Sequence, residues 1–391
     1  MTRQRRYVLA DILAGGGHLT DPAWRGAVER VPRHRFIPET VWVDDSDGWL
    51  SPVSRDDPRW WDGIYADRVV VTQVDDGHAE GVDGRGRYPT SSASQPRMVS
   101  QMLHALAAED GMSVLEIGTA TGYNCALLCE RFGSANVTSI EIDPDLARQG
   151  AANLHALGYT PTLAVGDGTS GVPDHAPFDR VLATVAAKHV PGAWIAQTRP
   201  GGVIVTPWGS DFGGHWLLRL TATGDGLAHG RIIGSAAFIW LRGQRSYRGT
   251  WSDHIDFSAD LDPGTTSLDP RALLAEPGSG QALVLGTLVP KLYRVVAVPK
   301  GDTEEFTVWV YDAEGSWAAV DYVPGAGKYA VGRYGPRDLW SEVERAYQAW
   351  WRAGGPPRNR LGLTVTVDGQ QRLWCDDPGN VLAPLGEAYD L

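Results

Sequence analysis

The chain has 391 residues, 43% hydrophobic and 21% charged, the proportions of a globular protein too long for one small domain. Its formal charge is -12, and the stretch from Arg245 onward holds 14 basic against 20 acidic residues, so the acidity is shared by both halves. An acidic chain without a basic cluster argues against a protein whose main partner is a phosphate backbone, and no run of about 18 apolar residues offers a membrane span. Arg3, Arg5 and Arg6 precede an apolar stretch that Asp11 interrupts, too short for a secretion signal, so a cytoplasmic protein is expected.

Residues 1–90 mix short helical stretches with loops rich in Trp, Asp and Pro, and read as a helical and loop region on the substrate side. Within them Asp75 to Arg87 (DDGHAEGVDGRGR) is glycine-rich, lacks apolar periodicity and is expected to be a mobile loop. Residues 91–244 are regular. Val114–Ile117, Val137–Ile142, Thr162–Val165, Arg180–Thr184 and Val203–Pro207 are β-prone, and Tyr123–Phe132, Asp145–Leu157 and Val190–Gln197 suit helices between them. That alternation predicts an α/β fold, a mostly parallel, doubly wound Rossmann-like sheet with its ligand at the C-terminal strand ends. Cys125 and Cys129 fall four apart on the first of these helices with no further Cys or His pair to complete a metal site, so they read as small core residues.

Residues 245–391 change texture and are expected to form a separate α+β domain. Phe306–Asp312 and Trp317–Tyr322 alternate around the turn AEGS, and Leu363–Val367 with Gln371–Trp374 flank Asp368-Gly369 as a second hairpin. Pro336–Arg352 is the clearest predicted helix, with Pro336 at its first position, Gly354-Gly355 after its end, and Leu339, Val343, Ala346, Tyr347 and Trp350 on one face. Eight of the sixteen tryptophans lie from Trp240 onward and are expected mostly in the core, a few being candidates for a peptide groove.

Three features of residues 91–244 have the order and spacing of a nucleotide-like site. The turn GTATG, Gly118 to Gly122, joins a strand to a helix and lets backbone approach a ligand, although Ala120 stands where a third glycine completes the usual fingerprint. Glu141 ends the next strand, where a carboxylate accepts hydrogen bonds from both ribose hydroxyls. Asp167 in Gly166-Asp167-Gly168 follows the strand after that and can meet an adenine edge. Glu116 sits just before the turn, where an acid repels a pyrophosphate and attracts a cation. This points to S-adenosylmethionine, which has a sulfonium and an ammonium and no phosphate.

From about Val8 to Arg242 the chain resembles the protein L-isoaspartate O-methyltransferases. VPRHRFIPE at Val31–Glu39, YADR at Tyr65–Arg68, SSASQP at Ser91–Pro96, LEIGTATGY, IEIDPDLA, GDG, HAPFDRVLATVAA and RPGGVIVTPWG occur in the family's order. The resemblance implies a class I methyltransferase fold, S-adenosylmethionine as cofactor and a peptide carboxylate as acceptor. It implies cofactor contacts from Ser92, Glu116, Gly118, Thr119, Ala120, Gly122, Glu141, Asp167 and Gly168, and no metal. Ser94 matches the family's active-site serine in its T-I-S-Q-P pattern, Ser92 standing for the threonine. An aspartyl or isoaspartyl carboxylate is already an anion at neutral pH, so Ser94 is read as a positioning donor, with helix capping near Pro96 as the alternative. His34 in PRHRF reads as loop or packing.

Two departures from the family's pattern stand out. Lys188 occupies a position usually held by proline at the edge of the acceptor pocket. About 145 residues also follow the point where the family's repair enzymes end. The patterns YGPRDLW and LGLTVTVDGQ resemble extensions on actinobacterial methyltransferases found with ribosomally made, modified peptides, graspetides and lanthipeptides among them. That narrower resemblance implies methylation of an ordinary aspartate, leading through the ester to aspartimide and isoaspartate. A general isoaspartate repair enzyme and a cofactor-binding protein without turnover are the rivals. A nucleic-acid methyltransferase is disfavoured by the acidic charge and by the absence of an Asn-Pro-Pro-Tyr-like loop.

Overall fold

The protein is described by a computed structural model covering residues 2–245, 249–274, 279–299 and 304–385. The N-terminal region contains α1 (Thr2–Gly15), α2 (Pro22–Arg30), β1 (Thr40–Asp44), β2 (Leu50–Ser54), α3 (Pro58–Ile64), β3 (Val70–Val74) and β4 (Pro89–Ala93). Asp-Pro pairs start two of its helices: Asp21 accepts from Ala23 N at 2.7 Å and Asp57 from Arg59 N at 2.8 Å. The strands form an antiparallel sheet in the order β2-β1-β3-β4, so this region is more than helices and loops, and its last strand crosses the boundary expected at residue 90. Five-residue strands holding Trp, Pro and Asp show little period-two pattern, which hid them. The Asp75–Arg87 segment, expected to be mobile, forms two short 3-10 turns and is tied back by Asp75, whose buried carboxylate accepts from Arg87 N at 2.9 Å and Tyr88 N at 2.8 Å.

The central layer follows as α4 (Pro96–Ala105), β5 (Val114–Ile117), α5 (Tyr123–Phe132), β6 (Val137–Glu141), α6 (Pro144–His155), β7 (Thr162–Val165), β8 (Phe178–Ala183), α7 (Gly192–Ala196), β9 (Thr198–Ser210), β10 (Gly214–Ala222) and β11 (Leu227–Ala236). Strands β7-β6-β5-β8-β9 lie parallel in that spatial order, as the alternation requires. β10 and β11 add on antiparallel, so the sheet as a whole is mixed around its parallel, doubly wound core. Cys125 and Cys129 are buried on α5, in agreement with the core reading.

The C-terminal part contributes β12 (Asp262–Thr266), α8 (Gly280–Leu288), β13 (Tyr293–Ala297), β14 (Phe306–Tyr311), β15 (Trp317–Tyr322), β16 (Tyr329–Tyr334), α9 (Leu339–Arg352), β17 (Leu361–Thr366), β18 (Gln371–Cys375) and β19 (Val381–Leu385). It is not one separate unit. β12-β16-β15-β14-β13 make their own antiparallel sheet under α8 and α9, whereas β17, β18 and β19 join the central sheet through β11 and lengthen it to ten strands. Alternating apolar residues reveal a strand but not its partner, so the sequence placed this hairpin in the wrong sheet. Helix α9 starts at Leu339, capped by Asp338, which accepts from Ser341 N at 3.0 Å; Pro336 lies before it. Its Leu339, Val343 and Ala346 are buried as expected, with Trp340 added to the face. Of the C-terminal tryptophans, Trp317, Trp340 and Trp374 are buried while Trp351 is 65% exposed. Among the described residues no helix is long and apolar enough to cross a membrane.

Candidate active site

A cleft of about 750 Å³, counting its open mouth, lies at the C-terminal ends of β5, β6 and β7. The β5–α5 turn forms its floor. Gly118 has φ +96°, and a Cβ there would come within 2.8 Å of Thr184 Oγ1, so both the conformation and the space demand glycine. Gly122 has φ +94° and opens α5. Ala120 adopts the left-handed region at φ +45°, a conformation that costs an L-residue about 1 kcal/mol.

What holds Ala120 there is Glu141. Its carboxylate accepts from Ala120 N at 2.8 Å and from Asp143 N at 3.0 Å, which locks the turn to the end of β6. Glu141 lines the cleft although it is only 7% exposed, and burial raises its pKa against those two backbone bonds. Gly168 and the exposed Asp167 line the far side; Asp167 accepts from Thr169 N at 2.9 Å, and the buried Trp194 donates to Gly168 O at 2.8 Å.

Glu116 stands elsewhere. It is fully buried beneath the turn and does not line the cleft; Ser139 Oγ and Asn124 Nδ2 each donate to it at 2.6 Å, and Thr119 is joined to Ser139 at 2.6 Å. Burial pushes its pKa up to about 7. The carboxylate expected to attract a cation in front of the turn therefore lies behind it, outside the lining. Thr119 and Gly122 likewise shape the turn from behind, while Ser92, Gly118, Ala120, Glu141, Asp167 and Gly168 come together in the lining.

A strap formed by Phe238–Arg242 and Arg245 closes one side. Arg245 Nη1 lies 2.8 Å from Asp76 Oδ2, and Arg242 Nη2 lies 3.5 Å from Asp76 Oδ1 and 3.3 Å from Asp143 Oδ2. Both cations in the lining are therefore engaged with carboxylates. No motif announced Trp240, Arg242 or Arg245, whose relevance arises from strands meeting in space.

Ser94 follows β4 and lies just outside the lining that its neighbours Thr90, Ser91 and Ser92 contribute to. The helix α4 is capped by Gln95 backbone, with no side-chain cap, so the capping role considered for Ser94 is absent. The turn is held by Arg33, fully buried, whose Nη2 donates to Ala93 O at 3.2 Å and Ser94 O at 3.0 Å while its guanidinium lies 5.5 Å from the Tyr123 ring. His34 packs beside it with Nδ1 2.7 Å from Tyr65 Oη, and burial with Arg55, Arg35 and Arg6 nearby pushes its pKa down to about 4, so it is neutral at neutral pH. Lys188, at the end of the loop after β8, is paired with Asp211 at 2.7 Å and lies 5.1 Å from the Trp240 ring.

The comparisons agree with this geometry. A family profile described as Protein-L-isoaspartate(D-aspartate) O-methyltransferase (PCMT) matches residues 84–246. The chain is 33% identical to Protein-L-isoaspartate O-methyltransferase 1 of Nitrosospira multiformis over 61% of its own length and 87% of that protein. It is 30% identical to the Hyperthermus butylicus Protein-L-isoaspartate O-methyltransferase over 63% of its length and 92% of that protein. A solved structure titled as a protein-L-isoaspartate O-methyltransferase shares the fold with a TM-score of 0.55 at 20% identity, covering 95% of this chain and 100% of that one. The likeness in fold thus reaches past Arg245, against the expectation that it stops there.

Proposed function

The chain belongs to the S-adenosylmethionine-dependent protein-L-isoaspartate O-methyltransferase family, and we propose that it methylates the carboxylate of an isoaspartyl residue in a peptide or protein. The observation that carries the reading is a single cleft in which the Gly118 turn meets two carboxylates, Glu141 and Asp167, while its two arginines are already paired. Those groups fit S-adenosylmethionine: acceptors for hydroxyl and amino groups are present, and the cations that a pyrophosphate needs are spoken for. When bound, that cofactor supplies an activated methyl group. Glu141 would hold the ribose, Asp167 and Gly168 the adenine, and Gly118, Ala120 and Ser92 the remainder, while Glu116, Thr119 and Gly122 keep the turn in shape.

The acceptor needs no general base, because a carboxyl with a pKa near ~4 is ionised at neutral pH. The residues on the acceptor side have only to hold the anion in line and exclude water, and proximity supplies most of the rate. Ser94, on the turn fixed by Arg33, donates to one carboxylate oxygen and leaves the other to react. His34, neutral and bonded to Tyr65, takes no part in proton transfer. The test is transfer of labelled methyl from S-adenosylmethionine to a synthetic isoaspartyl peptide, read as a base-labile ester. Cofactor binding without transfer to any carboxylate peptide would replace this reading by that of a binding protein.

A second reading, methylation of an ordinary aspartate in a modified ribosomal peptide to give aspartimide, draws support from the C-terminal hairpin, which bonds the Lys188–Val190 loop beside the cleft-lining Trp240. Turnover of a crosslinked aspartyl peptide in preference to the isoaspartyl one would favour it.

A further inference from the structure

The loop Ala186–Val190 separates the strap from the C-terminal hairpin, and every one of its backbone amides has a partner. Ala186 N donates to Ile239 O at 2.8 Å and Ala187 N to Pro207 O at 2.9 Å. The next three turn to glutamine side chains: Lys188 N and His189 N donate to Gln244 Oε1 at 2.7 and 3.0 Å, and Val190 N donates to Gln371 Oε1 at 3.0 Å. Gln371 is the first residue of β18 and 1% exposed. Its Nε2 donates to Lys188 O at 3.2 Å and to His189 Nδ1 at 3.1 Å, and Trp208 Nε1 donates to the same Lys188 oxygen at 3.1 Å. Because Val190 N is only a donor, the orientation of the Gln371 amide is fixed by its surroundings.

We infer that Gln371 is a positioning residue for acceptor specificity: it reaches from the C-terminal hairpin to hold the Lys188–Val190 loop, whose Lys188 lies 5.1 Å from the ring of Trp240, a residue of the cleft lining. The residue lies outside the segment 84–246 that matches the family profile, so the hairpin gives this chain a handle on the acceptor side that the matched core does not itself contain. A β-turn contact strengthens the tie, since a Cβ on Gly192 would come within 2.1 Å of Val367 O. The inference rests on the carboxyl methyltransferase reading for its kinetic consequence, but not for its structural one.

The experiment compares full-length wild type, Gln371→Leu and Gln371→Glu. Glu retains an acceptor for Val190 N and loses the donor for Lys188 O. In Gln371→Leu, amide exchange at 188–190 should accelerate by about tenfold or more, a local opening that global unfolding does not require. Cofactor affinity by calorimetry should stay within about twofold, and with an isoaspartyl peptide KM should rise about fivefold or more at nearly constant kcat. Gln371→Glu should fall between the two, and it carries the test if the Leu variant does not fold. Unchanged exchange at 188–190, or an equal loss of cofactor affinity, would overturn the assignment. If wild type methylates no carboxylate peptide, the function proposed above fails while the exchange result still decides the role of Gln371.

Discussion

On the side of the cleft proposed to hold the cofactor, three consecutive strand-turn units bring Gly118, Glu141 and Asp167 together through backbone geometry, each residue a short step along the chain from the next. The acceptor side is assembled differently. There the Phe238–Arg242 strap and Arg245 line the cleft, and the Ala186–Val190 loop behind them is held by the Gln244 and Gln371 side chains reaching to its backbone. A side built from backbone tolerates exchange of most side chains but not of those that fix its turn. A side built from side-chain contacts can be retuned one residue at a time, which suits the part of an enzyme that chooses its substrate.

The sharpest way to break this comparison is Ala120→Leu. Ala120 lines the cleft in the left-handed region, and a branched side chain there would occupy the ligand's space without disturbing β5 or α5. Cofactor binding should become undetectable by calorimetry while the far-ultraviolet dichroism is retained; normal binding would move the site elsewhere. Glu141→Ala comes next. It removes two charge-assisted bonds to a bound ribose, roughly 3 kcal/mol in all, so the cofactor Kd should rise about 100-fold. Ser94→Ala probes the other side: kcat should fall about tenfold or more with cofactor affinity unchanged. An unaltered kcat would leave Ser94 as no more than part of the turn that Arg33 holds.

How much of this was legible in the sequence follows the same division. Val114–Ile117, Tyr123–Phe132 and Thr162–Val165 lie where their periodicity puts them, because each element is a local property of a short stretch. Glu141 ends β6 and lines the cleft, since the end of a strand is a position that sequence can count. Glu116 lies beneath the turn rather than in the lining, because a strand alternates faces and one residue of register separates the two positions. The strap arginines were missed because their partners, Asp76 and Asp143, are remote in the chain. The β17–β18 hairpin was recognised as a hairpin but given to the wrong sheet, since nothing in Leu361–Thr366 names β11 as its neighbour. Gln371 carried no signal at all, being one amide in an ordinary strand.

The smallest predicted effect separates the two acids of the cofactor side. Glu116 has its pKa pushed up to about 7 by burial, against bonds from Ser139 and Asn124 that favour the anion. The folded state therefore holds this proton more tightly than the unfolded chain does. The stability Glu116 contributes in its protonated form is complete below about pH 4.5 and is lost as the pH rises through about 7. In Glu116→Gln the group stays neutral, so the variant should match wild type near pH ~5 and exceed it near pH ~8, by at most about 3 kcal/mol. Thermal unfolding across that range reads the difference as a few degrees. Cofactor affinity should change less than about threefold, since Glu116 lies behind the turn rather than in the cleft. A loss of affinity as large as that of Glu141→Ala would show that both acids face the ligand, and that the turn in solution rotates its β5 end toward the cleft.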